Sequence, residues 1–381
     1  MSWETVKLED VCMSISDGDH QAPPKVDNGI PFVTISNINS SNKFDFSDVM
    51  FVPQEYYENL DVKRKPQKDD ILYSVVGSFG IPVFINSDKM FVFQRHIAIL
   101  RPNTEKIVPK FLYYVMRGRD FYLQADSVAI GAAQRTVSLT ALRNMTVRIP
   151  GRKQQKKIAS ILSVYDDLIE NNQKQIKLLE EAAQRLYKEW FVDLRFPGHE
   201  NVKIVDGVPE GWGKEKLSHI APIITGKKDA NYGTEDGKYL FFTCAQETIK
   251  APSFSFDCSA VILAGNGDFN VKMYRGKFEA YQRTYVFSPR EIDNLYLLYF
   301  GVKNNMRQLF QGASGSTIKF LTKSMLEEII VNAPTTNIKN KFNEYCENYY
   351  KQIEKAKARI ALLQEARDRL LPKLISGEII I

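Results

Sequence analysis

The sequence predicts an α+β fold in which two similar β-rich globular domains lie at opposite ends of an antiparallel two-helix coiled coil. The two halves are expected to be related by an approximate two-fold axis. Three observations predict this fold: a helical segment that occurs twice, a globular stretch of similar length before each copy, and a common order of strands and helix in the two stretches. Such a repeat indicates one structural unit used twice.

The helical segment occurs at residues 150–186 and again at 334–370, and each copy begins at a proline. Without a gap, Pro150, Tyr165, Ile169, Ile176, Leu178, Leu179, Glu181, Ala182, Arg185 and Leu186 recur as Pro334, Tyr349, Ile353, Ile360, Leu362, Leu363, Glu365, Ala366, Arg369 and Leu370. Apolar positions in both copies alternate steps of four and three residues, which predicts a coiled-coil seam with Asn172 in one core position. Because a compact inserted domain usually has its termini close together, the pair should run antiparallel.

The two globular stretches share one order of elements. Short β-branched and aromatic runs at 30–38, 70–77 and 91–102, a helix at 111–118 and a strand at 145–150 predict a compact, mostly antiparallel sheet in the first. The second repeats this order at 238–246, 260–267, 279–289, 295–302 and 328–334. Trp3, Leu8, Gly77, Gln94 and Arg95 correspond to Trp212, Leu217, Gly265, Gln282 and Arg283. We therefore predict a first domain at 1–150, a helix with its closing segment at 151–198, a second domain at 199–334, and a second helix with the tail at 335–381.

Composition is that of a folded protein, with 44% hydrophobic and 25% charged residues and a net charge of +6. The charge favours approach to a polyanion without identifying one. The four cysteines, Cys12, Cys244, Cys258 and Cys346, are far apart and form no CxxC pair, which indicates reduced thiols rather than a zinc ribbon or a disulfide framework. With no signal-peptide pattern and no long apolar run, we expect a soluble cytoplasmic protein without a membrane contact.

The dimensions of the predicted coiled coil suggest a ligand. A helix of about 36 residues spans roughly 54 Å. Since DNA advances about 34 Å per turn, two domains held by such a rod can lie over half-sites roughly one turn apart on one face of a duplex. Two domains with different loops would read different half-sites, so we predict a bipartite and asymmetric double-stranded DNA target.

Four segments carry a resemblance to a known family. RLYKEWFVDLRFPG (185–198) closes the first helix and RLLPKLISGEI (369–379) closes the second, while ISDGDHQAPP (15–24) and KQQKKIASILSVYDDLIENN (153–172) precede them. Together with the layout, over essentially the entire chain, they resemble the specificity subunit of type I restriction-modification systems. The resemblance implies two target-recognition domains, and helices that dock two DNA adenine methyltransferase subunits and restriction motor-nuclease subunits.

The resemblance also implies a subunit that is not an enzyme and has no cofactor of its own. S-adenosylmethionine, and ATP with Mg²⁺ in the full complex, would be bound by partner subunits. The motifs agree, because the sequence contains no GxxxxGK[ST] phosphate loop, no G-x-G-x-x-G turn between a strand and a helix, and no close acid and lysine cluster of a nuclease.

Candidate DNA contacts lie in the loops and at one pair of matching strand positions. In the first domain they are Ser78, Gln94, Arg95, His96, Gln134, Arg135 and Thr136, and in the second Lys227, Lys228, Asn266, Gln282, Arg283, Ser316, Thr317 and Lys319. Gln pairs bidentately with adenine and Arg with guanine, so the Gln-Arg pairs at the matching strand positions are candidates for base reading. Identity between two domains that read different sequences equally suits a phosphate-contacting or structural role.

The other candidates have their own alternatives. The glycine loop at 77–80 is matched to 265–268 and suits close approach to a phosphate or a plain tight turn. The polar loop at 311–319 corresponds loosely to a segment of the first domain that contains Gly131, Gln134, Arg135 and Thr136. His20, Gln21 and Lys25 match Lys227 and Lys228 in an early loop, where exposed charges are mostly just solvated. A protein-protein scaffold with a coiled-coil core is the alternative function, and an unrecognised nuclease is a third.

Overall fold

The computed structural model describes residues 3–18, 23–39, 41–132, 134–267, 269–315 and 319–381. The chain divides into two compact units. The first unit comprises Met1–Asn172 with Ala358–Ile381, and the second comprises Gln173–Lys357. Each unit therefore holds one globular part together with a stretch of both long helices. Within the described ranges, no helix is long and apolar enough to span a membrane.

The first unit combines short strands with short helices. Its strands are β1 (Glu4–Lys7), β2 (Cys12–Asp17), β3 (Ile30–Val33), β4 (Met50–Val52), β5 (Ile71–Ser74), β6 (Pro82–Phe84), β7 (Val92–Phe93), β8 (Ile97–Pro102) and β9 (Thr146–Ile149). Its helices are α1 (Leu8–Val11), α2 (Gln54–Glu58), α3 (Pro109–Arg117), α4 (Arg119–Val128), α5 (Leu139–Asn144) and the first part of α6 (Arg152–Tyr187). The strands form three sheets, in the orders β1-β9, β2-β8-β5-β6 and β4-β3-β7. Among the described strand pairs of this unit, only β3 and β7 are parallel. The prediction of mostly antiparallel strands is therefore confirmed, whereas the prediction of a single sheet is wrong.

The second unit is built in the same way. Its strands are β10 (Ile204–Val205), β11 (Val208–Pro209), β12 (Gly213–Lys216), β13 (Ile223–Thr225), β14 (Tyr239–Phe242), β15 (Ile249–Ala251), β16 (Phe256–Ala264), β17 (Val271–Ala280), β18 (Thr284–Phe287) and β19 (Ile330–Ala333). Its helices are α7 (Leu217–Ile220), α8 (Leu295–Gly312), α9 (Lys323–Glu327) and the first part of α10 (Thr336–Ser376). The main sheet has the order β13-β18-β16-β17-β14-β15, beside the pairs β10-β11 and β12-β19.

The internal repeat is visible in backbone pairing at the start of each unit. Strand β1 pairs antiparallel with β9, and β12 pairs in the same way with β19. Just beyond these pairs, Leu8 N–H donates to Met145 O and Leu217 N–H donates to Ile329 O, both at 2.9 Å. Both leucines are fully buried in the core of their own unit. The repeat predicted from the sequence is therefore a repeat of structure.

Among the element boundaries that differ from the sequence expectation, two have a clear local cause. The strand predicted at 30–38 ends at Val33, because Thr34 N–H donates to Asn37 Oδ1 at 2.8 Å and the chain turns into a 3-10 segment. The helix predicted at 295–302 continues to Gly312, because the residues after its buried first part are mostly polar but remain helical. Both differences arise where polar residues follow an apolar run.

In the first unit, the two long helices run antiparallel, because Arg152 near the start of α6 lines one cleft with Ser376 at the end of α10, while Asp166 further along α6 meets Arg367 earlier on α10. An ionic cluster joins them at this second point. Asp166 on α6 accepts from Tyr114 Oη at 2.7 Å and from Arg367 Nη1 on α10 at 2.8 Å. Arg117 Nη1 lies 3.3 Å from the same carboxylate. Burial alone would raise the pKa of Asp166, but Arg117, Tyr114 and Arg367 together hold this pKa below its usual value. The cluster ties α3, α6 and α10 at one point of the helix pair.

In the second unit, the same two helices again run antiparallel. Tyr187 of α6 lies 6.1 Å from Phe342 of α10 between ring centroids, whereas Glu180, earlier on α6, lines one cleft with Tyr350 and Glu354 further along α10. Glu347 on α10 accepts from Arg275 Nη2 of β17 at 3.0 Å and from Tyr296 Oη of α8 at 2.8 Å. The hydrogen bond from Arg275 holds the pKa of Glu347 below its usual value. The predicted antiparallel pairing is thus confirmed in each unit by itself.

The predicted seam is the buried side of both helices. Ile158, Leu162, Ile169 and Ala183 on α6, and Phe342, Cys346, Ile353 and Ala356 on α10, are buried. Tyr165, Ile176, Leu179, Tyr349, Ile360 and Leu363 are half-buried. Asn172 is 7% exposed, and its Nδ2 donates to the Leu168 carbonyl of its own helix at 2.7 Å. That bond satisfies one donor of this buried amide locally, which the sequence could not indicate.

Candidate nucleic-acid interface

The first unit places Gln94, Arg95 and His96 in a tight turn between β7 and β8. Ile97 N–H donates to Gln94 O at 3.1 Å and closes the turn, while Val75 N–H donates to His96 O at 2.9 Å. Arg95 is exposed, and Gln94 and His96 are half-buried. The prediction that these residues lie in a strand is wrong, because the chain reverses direction here.

The corresponding turn of the second unit joins β17 to β18. Thr284 N–H donates to Tyr281 O at 2.8 Å, and Gly265 N–H donates to Arg283 O at 2.8 Å. By these hydrogen bonds, Gln282 is the counterpart of Arg95 and Arg283 is the counterpart of His96. The sequence pairing of the two Gln-Arg dipeptides is therefore one residue out of register. Thr284, the residue after Arg283, is fully buried at the start of β18 and is therefore inaccessible to a ligand.

A glycine holds the early loop against this turn in each unit. Gly18 N–H donates to Ile97 O at 3.2 Å, and Gly226 N–H donates to Thr284 O at 3.0 Å. A Cβ atom on Gly18 would lie 2.3 Å from Phe93 O, and one on Gly226 would lie 2.2 Å from Ala280 O. Only glycine allows this close approach of two backbones. The early loop and the turn therefore form one backbone platform in both units.

The glycine loops after β5 and β16 also correspond, but not as the sequence suggested. Gly77 and Gly267 adopt the left-handed conformation, with φ of 68° and 65°. Phe79 N–H donates to Gly77 O and Phe269 N–H donates to Gly267 O, at 2.9 and 3.1 Å. The predicted match of Gly77 with Gly265 is thus wrong by two residues, because Gly265 is the counterpart of Val75. Ser78 is exposed in this loop, and Asp268 lies outside the described residues.

A further loop has the same closure in both units. Thr136 and Ile130 exchange backbone hydrogen bonds at 2.8 and 3.0 Å, and Phe320 and Ser314 do so at 2.8 and 3.1 Å. Thr136 also bridges to Val76, as Phe320 bridges to Asn266. Lys319 is consequently the counterpart of Arg135. Gln134 is exposed at the position before Arg135, whereas the predicted contacts Ser316 and Thr317 lie outside the described residues.

Arg135 and Lys319 use equivalent backbone acceptors but different side-chain partners. Arg135 donates to the carbonyl and the carboxylate of Asp126 near the end of α4, and its guanidinium lies 5.4 Å from the Phe79 ring centroid. Lys319 Nζ lies 3.4 Å from the Phe310 carbonyl near the end of α8 and 4.2 Å from the Phe310 ring centroid. Sequence reasoning missed Asp126 and Phe310, because both belong to a helix that precedes the loop.

The second unit gathers several predicted contacts around one cleft of about 340 Å³. Asn266, Gln282, Arg283 and Phe320 are among its lining residues. Arg283 is exposed and its side chain makes no hydrogen bond or ion pair with the described residues, so its guanidinium is available to a ligand. Gln282 Nε2 instead donates to Asp229 Oδ1 at 2.6 Å, so one of the two N–H donors of this amide is already used within the unit.

The early loop supplies cations beside the same turn. Gln282 N–H donates to Lys228 O at 2.9 Å, and Lys228 Nζ lies 4.3 Å from the Tyr232 ring centroid. Lys227 is exposed. In the first unit, Lys25 is exposed, while His20 and Gln21 lie outside the described residues. The predicted basic loop of the second unit is therefore next to the predicted reading turn.

The turn that contains Arg283 contacts the side chain of Cys244. Cys244 Sγ lies 3.5 Å from the Arg283 carbonyl, and burial raises the pKa of its thiol above the ordinary value. The thiol is therefore neutral and acts as a weak donor under the turn. The four cysteines, Cys12, Cys244, Cys258 and Cys346, are free in the structure. The ranges that the structure describes contain no cluster of three or more side chains able to hold a metal ion.

Comparison with known proteins relates this chain to one family. The family described as "Type I restriction modification DNA specificity domain" matches the chain twice, at residues 1–181 and 209–365. The specificity subunit of the type I restriction enzyme EcoDI from Escherichia coli is 37% identical over 176 residues, which are 45% of this chain but only 39% of that protein. The putative MjaX specificity subunit from Methanocaldococcus jannaschii is 23% identical over 410 aligned positions, covering 99% of this chain and 93% of that protein.

A solved structure shows the same fold. The crystal structure of the type I restriction-modification system S subunit from M. genitalium matches with a TM-score of 0.58 at 16% identity, covering 98% of this chain and 96% of that one. The chain belongs to the family of type I restriction-modification DNA specificity subunits. Within such systems the specificity subunit is the non-catalytic component, so no reaction is assigned to this chain.

Proposed function

We propose that each unit of this chain reads one half of a bipartite, asymmetric DNA site for a type I restriction-modification complex. One observation carries the proposal: both units build the same platform of early loop, turn, glycine loop and closed loop, yet place different side chains on it. Arg95, His96 and Arg135 stand where the second unit has Gln282, Arg283 and Lys319. A common backbone with different donors and acceptors suits two different base sequences.

The long helices would set the spacing of the half-sites and dock two DNA adenine methyltransferase subunits and the motor-nuclease subunits. The support is the polar outer side of α6, where Lys153, Lys156 and Lys157 are exposed beside the buried seam. S-adenosylmethionine, ATP and Mg²⁺ would be bound by those partners rather than by this chain. The methyltransferase would also extrude the target adenine from the duplex.

A binding titration tests the proposal. Methylome sequencing of the host gives the site, and fluorescence anisotropy then compares three labelled duplexes with the complex of this chain and its methyltransferase subunits: intact, first half-site scrambled, and second half-site scrambled. We expect each scrambled half-site to weaken binding. The affinity should also fall with salt by roughly 0.9 log units per phosphate contacted for each log unit of salt.

The alternative function, a protein-protein scaffold, gives the opposite result. A scaffold would bind all three duplexes equally weakly, with or without the methyltransferase subunits. Salt dependence without half-site dependence would indicate a nonspecific DNA contact and would contradict the proposed reading role. Cleavage of the duplex by the pure chain with Mg²⁺ would contradict its place as a non-catalytic subunit.

A further inference from the structure

Phe320 is a large apolar side chain on the face that we assign to DNA. It is 41% exposed, although its backbone is held by two reciprocal hydrogen bonds with Ser314 and by the bridge to Asn266. The residue that follows, Leu321, is buried, and its N–H donates to Gly265 O at 2.8 Å. An apolar ring at a fixed backbone position is thus presented to solvent without being needed in the core.

The neighbours of Phe320 are the side chains that suit recognition of base edges. Phe320 lines the same cleft as Asn266, Gln282 and Arg283. Lys319, which precedes it, keeps its ammonium group over Phe310 and supplies positive charge at the rim. Phe320 therefore adds an exposed apolar ring to a cleft that also holds the polar and basic side chains of Asn266, Gln282 and Arg283.

Base-paired DNA offers such an element few apolar partners. In the major groove the base edges present hydrogen-bond donors and acceptors, and the apolar group among them is the C5-methyl of thymine. A wedge that enters the base stack must project between two neighbouring bases and unstack them. Phe320 instead closes the base of its loop and is fixed in the backbone ladder, so contact with a base edge fits its position better than insertion.

We propose that Phe320 contacts a thymine methyl group in the half-site read by the second unit and makes that position selective for thymine. This inference rests on the proposed DNA-reading function. The first unit has Thr136 at the equivalent position, half-buried and with a much smaller apolar surface. The two units therefore differ in the apolar reading of a base as well as in the polar contacts.

Removal of single methyl groups from the DNA tests the inference without altering the protein. Each thymine of the duplex, in both half-sites and both strands, is replaced in turn by deoxyuridine, which lacks only the methyl group. With the complete complex, we expect one such duplex to bind about fourfold more weakly, the effect of one apolar methyl left unburied. Phe320→Ala should weaken binding of the thymine duplex by a similar factor and show no further loss with deoxyuridine at that position.

Two variants serve as controls. Phe320→Leu retains an apolar side chain and should keep part of the discrimination against deoxyuridine. Phe254→Ala removes a phenylalanine of similar exposure, 37%, that precedes β16, at the opposite end of that strand from Gly265, and should leave the discrimination unchanged.

Several results would overturn the inference. It is wrong if no deoxyuridine duplex binds more weakly, or if Phe320→Ala discriminates thymine from deoxyuridine as the wild type does. Weaker binding by Phe320→Ala without any effect of deoxyuridine would indicate stacking on a base instead. Those results leave half-site-dependent binding intact, whereas loss of half-site dependence in the wild type would contradict the proposed function itself.

Discussion

In the first unit the loop cation Arg135 pairs with the carboxylate of Asp126, whereas in the second unit its counterpart Lys319 lies over the ring of Phe310. The backbone around the two cations is the same, since both loops are closed by reciprocal hydrogen bonds and both cations reach a carbonyl near the end of the preceding helix. The backbone therefore determines the position of the loop cation. The neighbouring side chains determine whether its charge is already compensated within the unit or is available to a ligand.

A second comparison concerns how each unit attaches to the long helices. In the first unit, Asp166 has 20% of its side chain exposed and joins α3, α6 and α10. In the second unit, Glu347 has 36% of its side chain exposed and joins β17, α8 and α10. The more buried carboxylate faces two guanidinium groups and the more exposed one faces a single guanidinium, so the two clusters should contribute unequally to stability.

The largest effect is expected from removing the buried carboxylate. Asp166→Ala leaves Arg117 and Arg367 without their common partner in a partly buried place, which should cost about 3 kcal/mol of unfolding free energy. Glu347→Ala should cost roughly 1 kcal/mol, because solvent screens its more exposed partner. Urea denaturation of the full chain, followed by far-UV circular dichroism, measures both. Asp167→Ala, an exposed neighbour on the same helix, controls for the change in helix propensity.

Equal losses of unfolding free energy in Asp166→Ala and Glu347→Ala would contradict the expected difference between the two ionic clusters. A loss in Asp167→Ala as large as that in Asp166→Ala would show that helix propensity, rather than the ionic cluster, accounts for the effect.

The next largest effect concerns base reading by the second unit. Arg283 is exposed and its guanidinium has no hydrogen bond within the described chain, so Arg283→Ala should cost roughly 2 kcal/mol of binding free energy and relax the preference at one base pair. Arg290→Ala removes an arginine beyond the other end of β18 and should leave binding unchanged. Anisotropy titrations with duplexes substituted at each position of the site distinguish the two. A uniform loss over all substituted duplexes would assign Arg283 to a phosphate instead.

The sequence predicts the helices and their pairing because their signal is local. A heptad seam repeats the same apolar choice every few residues, so Ile158, Leu162, Phe342 and Cys346 identify the buried side without any knowledge of the rest. The ionic cluster at Asp166 had no such signal. Arg367 is 201 residues away along the chain, and no local pattern relates one surface-type charge to another at that separation.

The sequence predicted which loops and turn correspond between the two units, but not the register of that correspondence. The dipeptides Gln94-Arg95 and Gln282-Arg283 are identical, which made them look equivalent, yet hydrogen bonds match Arg95 with Gln282. In a turn, the closing hydrogen bond sets equivalence, and a shift of one residue changes every side-chain direction. Asp229, the partner of Gln282, could not be predicted either, because the loop that carries it is brought to the turn by the close backbone contact at Gly226.

A smaller effect should separate the two loop cations. Lys319→Ala should weaken binding of every duplex similarly and reduce the slope of log affinity against log salt by about 0.9, as expected for one phosphate contact. Arg135→Ala should change the slope less, because the Asp126 carboxylate already compensates its charge. Asp126→Asn should therefore strengthen binding and steepen the slope. If Arg135→Ala and Lys319→Ala change the slope equally and Asp126→Asn has no effect, the contrast between the units has no consequence for DNA.

The smallest effect is expected when acid lowers the unfolding free energy, and its direction depends on the sign of the pKa shift of Asp166. Because the folded state holds the pKa of Asp166 below the unfolded value of about 3.9, its contribution is complete above that pH and is lost as the pH falls through the folded pKa. Asp166→Asn should abolish this loss, so the difference in unfolding free energy between wild type and variant should shrink only below about pH 4. Urea denaturation at a series of pH values measures the difference. A difference that shrank on raising the pH above neutrality would mean that Asp166 is protonated in the folded state and that the two arginines do not govern it.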